Sequence, residues 1–288
     1  MKPAHFILAL VIMTVWGFAF VAGKIGVNQI PPIFFTGLRS TLVALFLLPF
    51  LHIPRGHIRQ LLLLSVGIGT LHYSLVFVGL QNVDASLAII LVMMQAPFAV
   101  LLAVVFLGER IGWRRILGLV IAFFGILLII GEPDMRAEIL PMLLILTGIF
   151  FWAAGNVQIR HFKLMDGSMI NGWIAVFMTP QIFLVSFFLE SGQMAAVQAA
   201  DWRAWVALFF LAGVVTVGTF ALWYRLISLY PVNQVMPFTL LMPVFGVVAG
   251  VLVLDETLSL RTIVGGIATL AGVAIIVLRR PDVVEAGV

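Results

Sequence analysis

The chain has 288 residues, of which 63% are hydrophobic and only 10% are charged. A water-soluble domain of this length needs a polar exterior, so the composition excludes a soluble protein and predicts an integral membrane protein of helices. The net charge of +4 comes from arginines near helix ends, which fits the positive-inside bias of membrane proteins better than a nucleic-acid surface. The lack of cysteine excludes disulfides and cysteine-ligated metals.

Ten apolar runs, each long enough to cross a bilayer, follow one another along the chain. The first run lacks a signal-peptidase pattern after it, which favours a retained helix. The connections between runs are short, and no soluble domain is inserted. We therefore predict an all-α integral membrane protein with ten transmembrane helices, at about residues 5–23, 33–51, 60–80, 86–107, 113–130, 139–158, 169–189, 203–224, 233–254 and 261–278.

The distribution of lysine and arginine predicts the orientation. The side of the membrane that holds the N-terminus is called side A here, and the opposite side is side B. Of the 16 lysines and arginines, eleven fall on side A, four fall on side B, and Arg39 lies inside the second run. Positive charge concentrates on the cytoplasmic side of membrane proteins, so both termini are predicted to be cytoplasmic.

A stretch that occurs twice indicates an internal repeat. Glu109 and Glu256 each follow an apolar run, and glycines recur 9 and 16 residues after each glutamate, at positions 118 and 125 and at positions 265 and 272. We predict two five-helix repeats at residues 1–131 and 139–280, followed by a polar cytoplasmic tail at 281–288. An odd number of helices per repeat gives the halves opposite orientations, as in many secondary transporters.

Three features together resemble the EamA domain, which occurs twice in ten-helix members of the drug/metabolite transporter superfamily. They are the motif Trp16–Phe20, the turns around Glu109 and Glu256, and the glycine-bearing helices after those turns. Within that superfamily the chain is most similar to the bacterial aromatic amino-acid exporters of the YddG type. The resemblance implies a multi-pass exporter of the bacterial inner membrane, with a central cavity lined by helices 1, 3, 4, 6, 8 and 9.

Aromatic and polar residues inside the implied cavity helices are the candidate binding groups. The aromatic residues could form walls that stack on an apolar side chain, or could simply pack. The polar residues could hold the amino and carboxylate groups of an amino acid, or could join helices by hydrogen bonds; for His72 a neutral, packed ring is favoured over a proton carrier. The candidate substrate-binding residues are Trp16, His72, Tyr73, Phe77, Gln95, Trp152, Asn156, Gln158, Thr219, Trp223 and Thr239.

Prolines interrupt the fourth and ninth runs. Pro97, Pro237 and Pro243 are candidate hinges, because each lacks the N–H that would bond four residues back. The carbonyls of Met93, Asn233 and Thr239 are therefore expected to be free and to face protein or a wet cavity. Static kinks are the alternative.

Several other residues receive structural interpretations. Glu109 and Glu256 are expected to stabilise the helix that follows each of them, through its N-terminal dipole. Arg39 is expected to snorkel outward. The spaced glycines, including Gly246 and Gly250, are expected to pack helices within the chain, which favours a monomer.

The predicted function is export of aromatic and other apolar amino acids by alternating access. All twelve aspartates and glutamates fall at helix ends, in loops or in the tail, and no nucleotide-binding motif occurs, which favours facilitated diffusion. The alternatives are a multidrug or other metabolite exporter, a proton-coupled antiporter, a membrane-embedded enzyme and a channel. We expect no enzyme activity, no catalytic residue, no cofactor, no metal and no nucleic-acid partner; the expected partners are a small-molecule substrate and the lipid bilayer.

Overall fold

A computed structural model describes residues 1–54, 56–109, 111–131, 138–162 and 167–278. Within these ranges ten helices are long and apolar enough to cross a membrane, which confirms the ten predicted runs. The predicted tail lies outside the described residues. The helices are α1 (Pro3–Val27), α2 (Pro32–Phe50), α3 (Ile58–Asn82), α4 (Ala85–Phe106), α5 (Trp113–Ile130), α6 (Ile139–Ile159), α7 (Met169–Leu189), α8 (Trp202–Leu229), α9 (Met236–Leu254) and α10 (Leu260–Leu278).

The turns after α4 and α9 have the same backbone conformation. Gly108 has φ +66° and Asp255 has φ +54°, so both residues are in the left-handed region and end their helices. Glycine adopts this conformation freely, and aspartate is one of the few other residues that tolerate it. Asp255 is the only non-glycine residue with positive φ in the described part of the chain.

Both α3 and α8 contain a π-helical segment in their middle. These segments are Ser65–Leu71 in α3 and Phe210–Thr219 in α8. The offset of 146 residues that relates Leu80 to Leu226 maps the first segment onto residues 211–217, inside the second. Wide turns of this kind are rare and often occur at functional sites. Neither of them was predicted from the sequence.

Both α4 and α9 are broken where the prolines occur. In α4, a first segment (Ala85–Val92) ends before a second segment begins at Gln95. In α9, a 3₁₀ turn (Met236–Leu240) precedes the α-helix Leu241–Leu254. Pro97, Pro237 and Pro243 thus each lie in the first turn of a new segment, where a missing N–H leaves no bond unmade.

The prediction of a free Met93 carbonyl is wrong. The Met93 oxygen accepts a hydrogen bond of 3.3 Å from the Ala96 amide, because the break tightens the chain into a shorter turn. The backbone therefore compensates locally for the proline, and no substrate or water is needed as a partner at this point.

The core of the bundle surrounds the first segment of α4. Every residue from Ala85 to Met94 is at most 9% exposed. The largest side chains packed around this segment without solvent contact include Ile12, Met13 and Leu80. This apolar centre fixes α1 and α3 against α4, and it places the inner faces of those helices around a common axis.

Close helix contacts at glycine hold the outer helices. A Cβ atom on Gly118 would lie 2.8 Å from the Gly272 carbonyl oxygen, and one on Gly125 would lie 2.5 Å from that of Gly265. Helices α5 and α10 thus pack backbone to backbone. Gly17 of α1 makes the same kind of contact with α9, since its Cβ would lie 2.7 Å from the Gly246 nitrogen. These glycines serve packing within the chain, as expected.

Candidate functional site

Aromatic rings from α3 and α6 form a first cluster. The Trp152 ring centroid lies 4.9 Å from that of His72 and 6.4 Å from that of Tyr73. Phe77, one turn further along α3, lies 6.4 Å from Tyr73. The predicted residues of these two helices are therefore brought together by the fold.

Aromatic rings from α1 and α8 form a second cluster. The Trp16 centroid lies 5.0 Å from that of Phe220 and 5.3 Å from that of Trp223. The Trp16 indole N–H donates a 2.6 Å hydrogen bond to the Thr219 hydroxyl, which itself donates to the Val215 carbonyl at 2.6 Å. Thr219 is 4% exposed, so this pair joins α1 to α8 in the interior.

The two clusters occupy matching positions in the two halves of the sequence. Trp16 and Trp152 are 136 residues apart, and both follow the start of their helix at similar depth. The 146-residue offset between α3 and α8 relates Tyr73 to Thr219 and Phe77 to Trp223. In each cluster the Trp comes from the first helix of one half, and its partners come from the third helix of the other half.

A small cavity lies beside the first cluster. Its wall comes from α2, α3, α6, α7 and α8. The expected set of helices is thus only partly met, because α2 and α7 are added and α1, α4 and α9 do not contribute to this wall. The polar and aromatic side chains in this wall include Arg39, Ser40, Tyr73, Trp152, Asn171 and Phe220.

Arg39 faces this cavity, and the prediction that it snorkels outward is wrong. It is only 7% exposed, and its guanidinium carbon lies 4.0 Å from the centre of the Tyr73 ring and 5.8 Å from that of Phe77. It lies on the face of α2 that also buries Thr36 and Ser40, so the packing of α2 directs it inward. A guanidinium over an aromatic face is attracted by the negative face of the ring.

Helix α7 supplies polar groups that sequence reasoning missed. The Asn171 amide donates to the Tyr224 hydroxyl at 3.2 Å, and Thr179 donates to the Ser40 hydroxyl at 3.0 Å. Gln181 fixes the π-helical segment of α3, since it accepts from Thr70 at 2.7 Å and donates to Ser65 at 2.9 Å. The signal that could have found this face was Arg39 itself, a charge inside an apolar run.

Three of the predicted polar residues form hydrogen bonds to backbone carbonyls of their own or a neighbouring helix. The buried His72 ring bonds the Gly148 carbonyl of α6 through Nδ1 at 2.9 Å, so that nitrogen carries a proton. Asn156 is exposed and donates to the Trp152 carbonyl at 2.8 Å, and Thr239 donates to the Met236 carbonyl at 2.7 Å. None of the three lies in the wall of the cavity.

Gln95 and Gln158 differ from these three residues. Both side chains are half-buried, and the described part of the chain shows neither of them in a hydrogen bond. Gln95 lies at the break of α4.

Across the residues that the structure describes, no three histidine, aspartate or glutamate side chains come together where they could hold a metal ion.

Charged residues on the predicted side B bond to helix ends. Glu256 accepts hydrogen bonds from the Ala85 amide at 2.6 Å and the Ser86 amide at 2.9 Å, so it stabilises the N-terminus of α4. The prediction that it stabilises the helix after it, α10, is therefore wrong. Glu190 accepts from the Ile33 and Phe34 amides at the start of α2. Lys24 donates to three carbonyls at the end of α3.

Comparison with known proteins assigns the family. The model of the EamA-like transporter family matches residues 4–131 and 139–278. The chain belongs to this family. The match covers both predicted halves and nearly all of the sequence. Together with the ten apolar helices, it makes this chain a multi-pass membrane transporter.

Individual relatives and a solved structure agree with the family assignment. The chain is 29% identical over 280 residues to the "Probable amino-acid metabolite efflux pump" of Escherichia coli, with 93% of each chain covered. It is 27% identical to the "Uncharacterized transporter YoaV" of Bacillus subtilis, covering 90% of this chain and 91% of that protein. A crystal structure with 17% identity superimposes with a TM-score of 0.60 over 96% of this chain and 98% of that one, which shows a shared fold.

Proposed function

We propose that this EamA-like transporter exports aromatic and other apolar amino acids across the bacterial inner membrane. The observation that carries the proposal is the cavity walled by Tyr73, Trp152 and Phe220 and bordered by Arg39 and Asn171. Aromatic walls suit an apolar side chain, and the polar border suits the charged backbone groups of an amino acid. The similarity to the "Probable amino-acid metabolite efflux pump" of Escherichia coli supports this substrate class.

The two halves are proposed to be inverted repeats with both termini in the cytoplasm. The matching Trp clusters, the matching π-helical segments and the excess of positive charge on side A support this arrangement. A direct test places a cysteine at Trp113 or at Thr257, two exposed positions that follow the repeated turns. A membrane-impermeant maleimide added outside should label only Thr257→Cys, and labelling of both from one side would contradict inversion.

The first segments of the repeat-related helices α4 and α9 differ in burial. The first segment of α4, next to the predicted side B, is buried, whereas residues 236–241 of α9, next to the predicted side A, are partly exposed. In a pair of inverted repeats this difference corresponds to closure at side B and access from side A. We infer that the structure is the inward-open state of the exporter.

Bonds between the two halves keep side B closed in this state. Glu256 bonds to α4 and Glu190 bonds to α2, each reaching from the second half to the first. The Gln29 amide and the Asp201 carboxylate bond across the same boundary at 3.0 Å. Outward opening requires these contacts to separate, and charge-assisted bonds of this kind are stronger than neutral ones.

Transport is proposed to run down the substrate gradient. The membrane-spanning segments contain no carboxylate that could carry a coupling proton or sodium ion. His72 bonds the Gly148 carbonyl, which suits a fixed packing role.

The test is uptake of labelled amino acids into proteoliposomes that contain the purified protein. We expect saturable uptake of phenylalanine with no pH or sodium gradient. Strict dependence on a proton gradient would support the antiporter alternative, and transport of cationic drugs in place of amino acids would support the multidrug alternative.

A further inference from the structure

Arg39 places a positive charge inside the bundle without a protein counter-charge. It lies within α2, and only 7% of its surface is exposed. Within the described part of the chain, its guanidinium forms no hydrogen bond and no ion pair. Charged side chains inside a membrane protein are costly, and they are usually paired or line a substrate path.

The aromatic neighbours of Arg39 satisfy only part of its bonding capacity. Tyr73 and Phe77 offer ring faces to the guanidinium at 4.0 and 5.8 Å. A guanidinium also has five N–H donors in a planar fork, and a ring face does not accept these as an oxygen does. The donors therefore remain available to whatever enters the cavity.

The carboxylates nearest to this end of α2 are already committed. Glu190, at the end of α7, accepts the Ile33 and Phe34 amides at 2.7 and 2.8 Å and the Ser186 hydroxyl at 2.7 Å. Both of its oxygens thus bond to the start of α2, and the amides that they bind lie more than one helical turn before Arg39 in the sequence. The protein uses its own carboxylates at helix ends and leaves the guanidinium for another anion.

We propose that Arg39 binds the carboxylate of the transported substrate. A planar guanidinium matches a carboxylate with two parallel hydrogen bonds, which lysine cannot reproduce. The Tyr73 ring holds the guanidinium in place, and Trp152 and Phe220 line the same cavity where the substrate's apolar side chain would lie.

Asn171 lines the same cavity and can hold the amino group. The Asn171 amide nitrogen bonds the Tyr224 hydroxyl, which turns its carbonyl oxygen away from that bond. This oxygen is an acceptor for a substrate ammonium group on the cavity wall. The inference rests on the proposed export of amino acids and narrows it: substrates need a free carboxylate, and amines and amides that lack one bind weakly.

The experiment compares wild-type protein with Arg39→Met and Arg39→Lys in proteoliposomes. The probes are phenylalanine, phenylalaninamide, which lacks the carboxylate, and 3-phenylpropanoate, which lacks the ammonium group. The control variant is Arg203→Met, which removes an exposed arginine that also lies near an aromatic ring, 5.9 Å from Trp202. Binding to purified protein in detergent is measured in parallel by ligand-induced thermal stabilisation.

We expect Arg39→Met to weaken phenylalanine binding about 10- to 100-fold, the range for losing hydrogen bonds to a charged group. Arg39→Lys should recover part of the loss, Arg203→Met should resemble wild type, and phenylalaninamide should bind all four proteins equally weakly. Phenylalanine transport that is unchanged in Arg39→Met would overturn the inference, as would equal wild-type affinity for phenylalanine and its amide.

The outcomes separate this inference from the proposed function. If wild-type protein moves no amino acid but binds 3-phenylpropanoate in an Arg39-dependent manner, the carboxylate site stands and amino-acid export fails. If phenylalanine is transported independently of Arg39, export stands and the carboxylate site fails. If Arg39→Met does not fold, Arg39→Lys is compared with wild type alone. Weaker phenylalanine binding by Arg39→Lys supports the carboxylate site, and equal binding contradicts it.

Discussion

Glu256 and Ser86 are 170 residues apart in the chain and share two hydrogen bonds. The Ser86 amide donates to Glu256 Oε2 at 2.9 Å, and the Ser86 hydroxyl donates to the same oxygen at 2.5 Å. The other carboxylate oxygen accepts from the Ala85 amide at 2.6 Å. The carboxylate of the α9–α10 turn therefore satisfies the unpaired amides at the start of α4, as an N-cap side chain would.

Replacing Glu256 should loosen side B. In Glu256→Gln the charge is lost, and one of the two acceptor oxygens becomes a donor that faces backbone amides. We expect the free energy of unfolding to fall by about 1–2 kcal/mol, the usual effect of losing a helix cap, and a shift toward the outward-open state. Ala88→Cys, buried at 0% exposure in a chain without other cysteines, should become reactive to an external maleimide in this background.

The matched control for this experiment is Asp255→Asn. Asp255 is the exposed neighbour of Glu256, and asparagine tolerates its positive φ. Ala88→Cys should stay protected in the control. Equal protection in the Glu256→Gln background would argue against a role for this contact in closing side B.

The two tryptophan clusters should respond differently to substitution. Trp152 lines the cavity, so Trp152→Phe should raise the KM for phenylalanine about 2- to 5-fold, in line with the energy of an aromatic contact, and should affect threonine less. Trp16→Phe removes the hydrogen bond to Thr219, so it should lower the melting temperature more than it changes KM. Flux measured against substrate concentration, together with thermal unfolding, checks both; a larger KM effect at Trp16 would place the substrate at the second cluster.

Close packing of α5 and α10 should tolerate no added methyl group. Gly125→Ala puts a Cβ atom 2.5 Å from the Gly265 carbonyl oxygen, so the helices must separate, and we expect destabilisation of about 1–3 kcal/mol. Gly67→Ala is the control, because no heavy atom lies within 4 Å of its new Cβ. The melting temperature of the purified proteins measures the difference, and equal values for the two variants would contradict the described contact.

Acidification should remove a destabilising effect of Asp84. Burial raises the pKa of the Asp84 carboxyl, the nearby Glu256 carboxylate raises the pKa further, and Lys24 lowers it. A carboxyl whose pKa is higher in the folded state favours folding when protonated, and this advantage is lost as the pH rises through the folded pKa. Asp84→Asn should therefore raise the melting temperature at pH 7, with the difference shrinking toward pH 4; a lower melting temperature at pH 7 would oppose this account.

The sequence was sufficient for features that depend on local pattern and on repetition. The ten spans follow from hydrophobic length alone, and the matching of Trp16 with Trp152 follows from the repeat. The prolines marked where α4 and α9 break. Each of these features is set by neighbouring residues or by comparison of one half with the other.

The sequence was insufficient where a contact depends on how distant helices pack. The direction of Arg39 depends on which face of α2 lies against α3 and α7, and the partner of Glu256 lies on a helix 170 residues earlier. A π-helical segment differs from an α-helix in hydrogen bonds that span five residues in place of four, and it has no composition of its own. The Met93 carbonyl was assigned no partner because the shorter turn that satisfies it forms only after the helix breaks.

Counterflow in proteoliposomes tests the central claim most directly. Vesicles loaded with unlabelled phenylalanine, with no pH or sodium gradient, are diluted into a trace of labelled phenylalanine. A carrier whose cavity opens alternately to each side should accumulate label transiently above its equilibrium level, and Arg39→Met should show no such overshoot. Uptake that rises only to equilibrium, as through a channel, or that requires an ion gradient, would contradict the account.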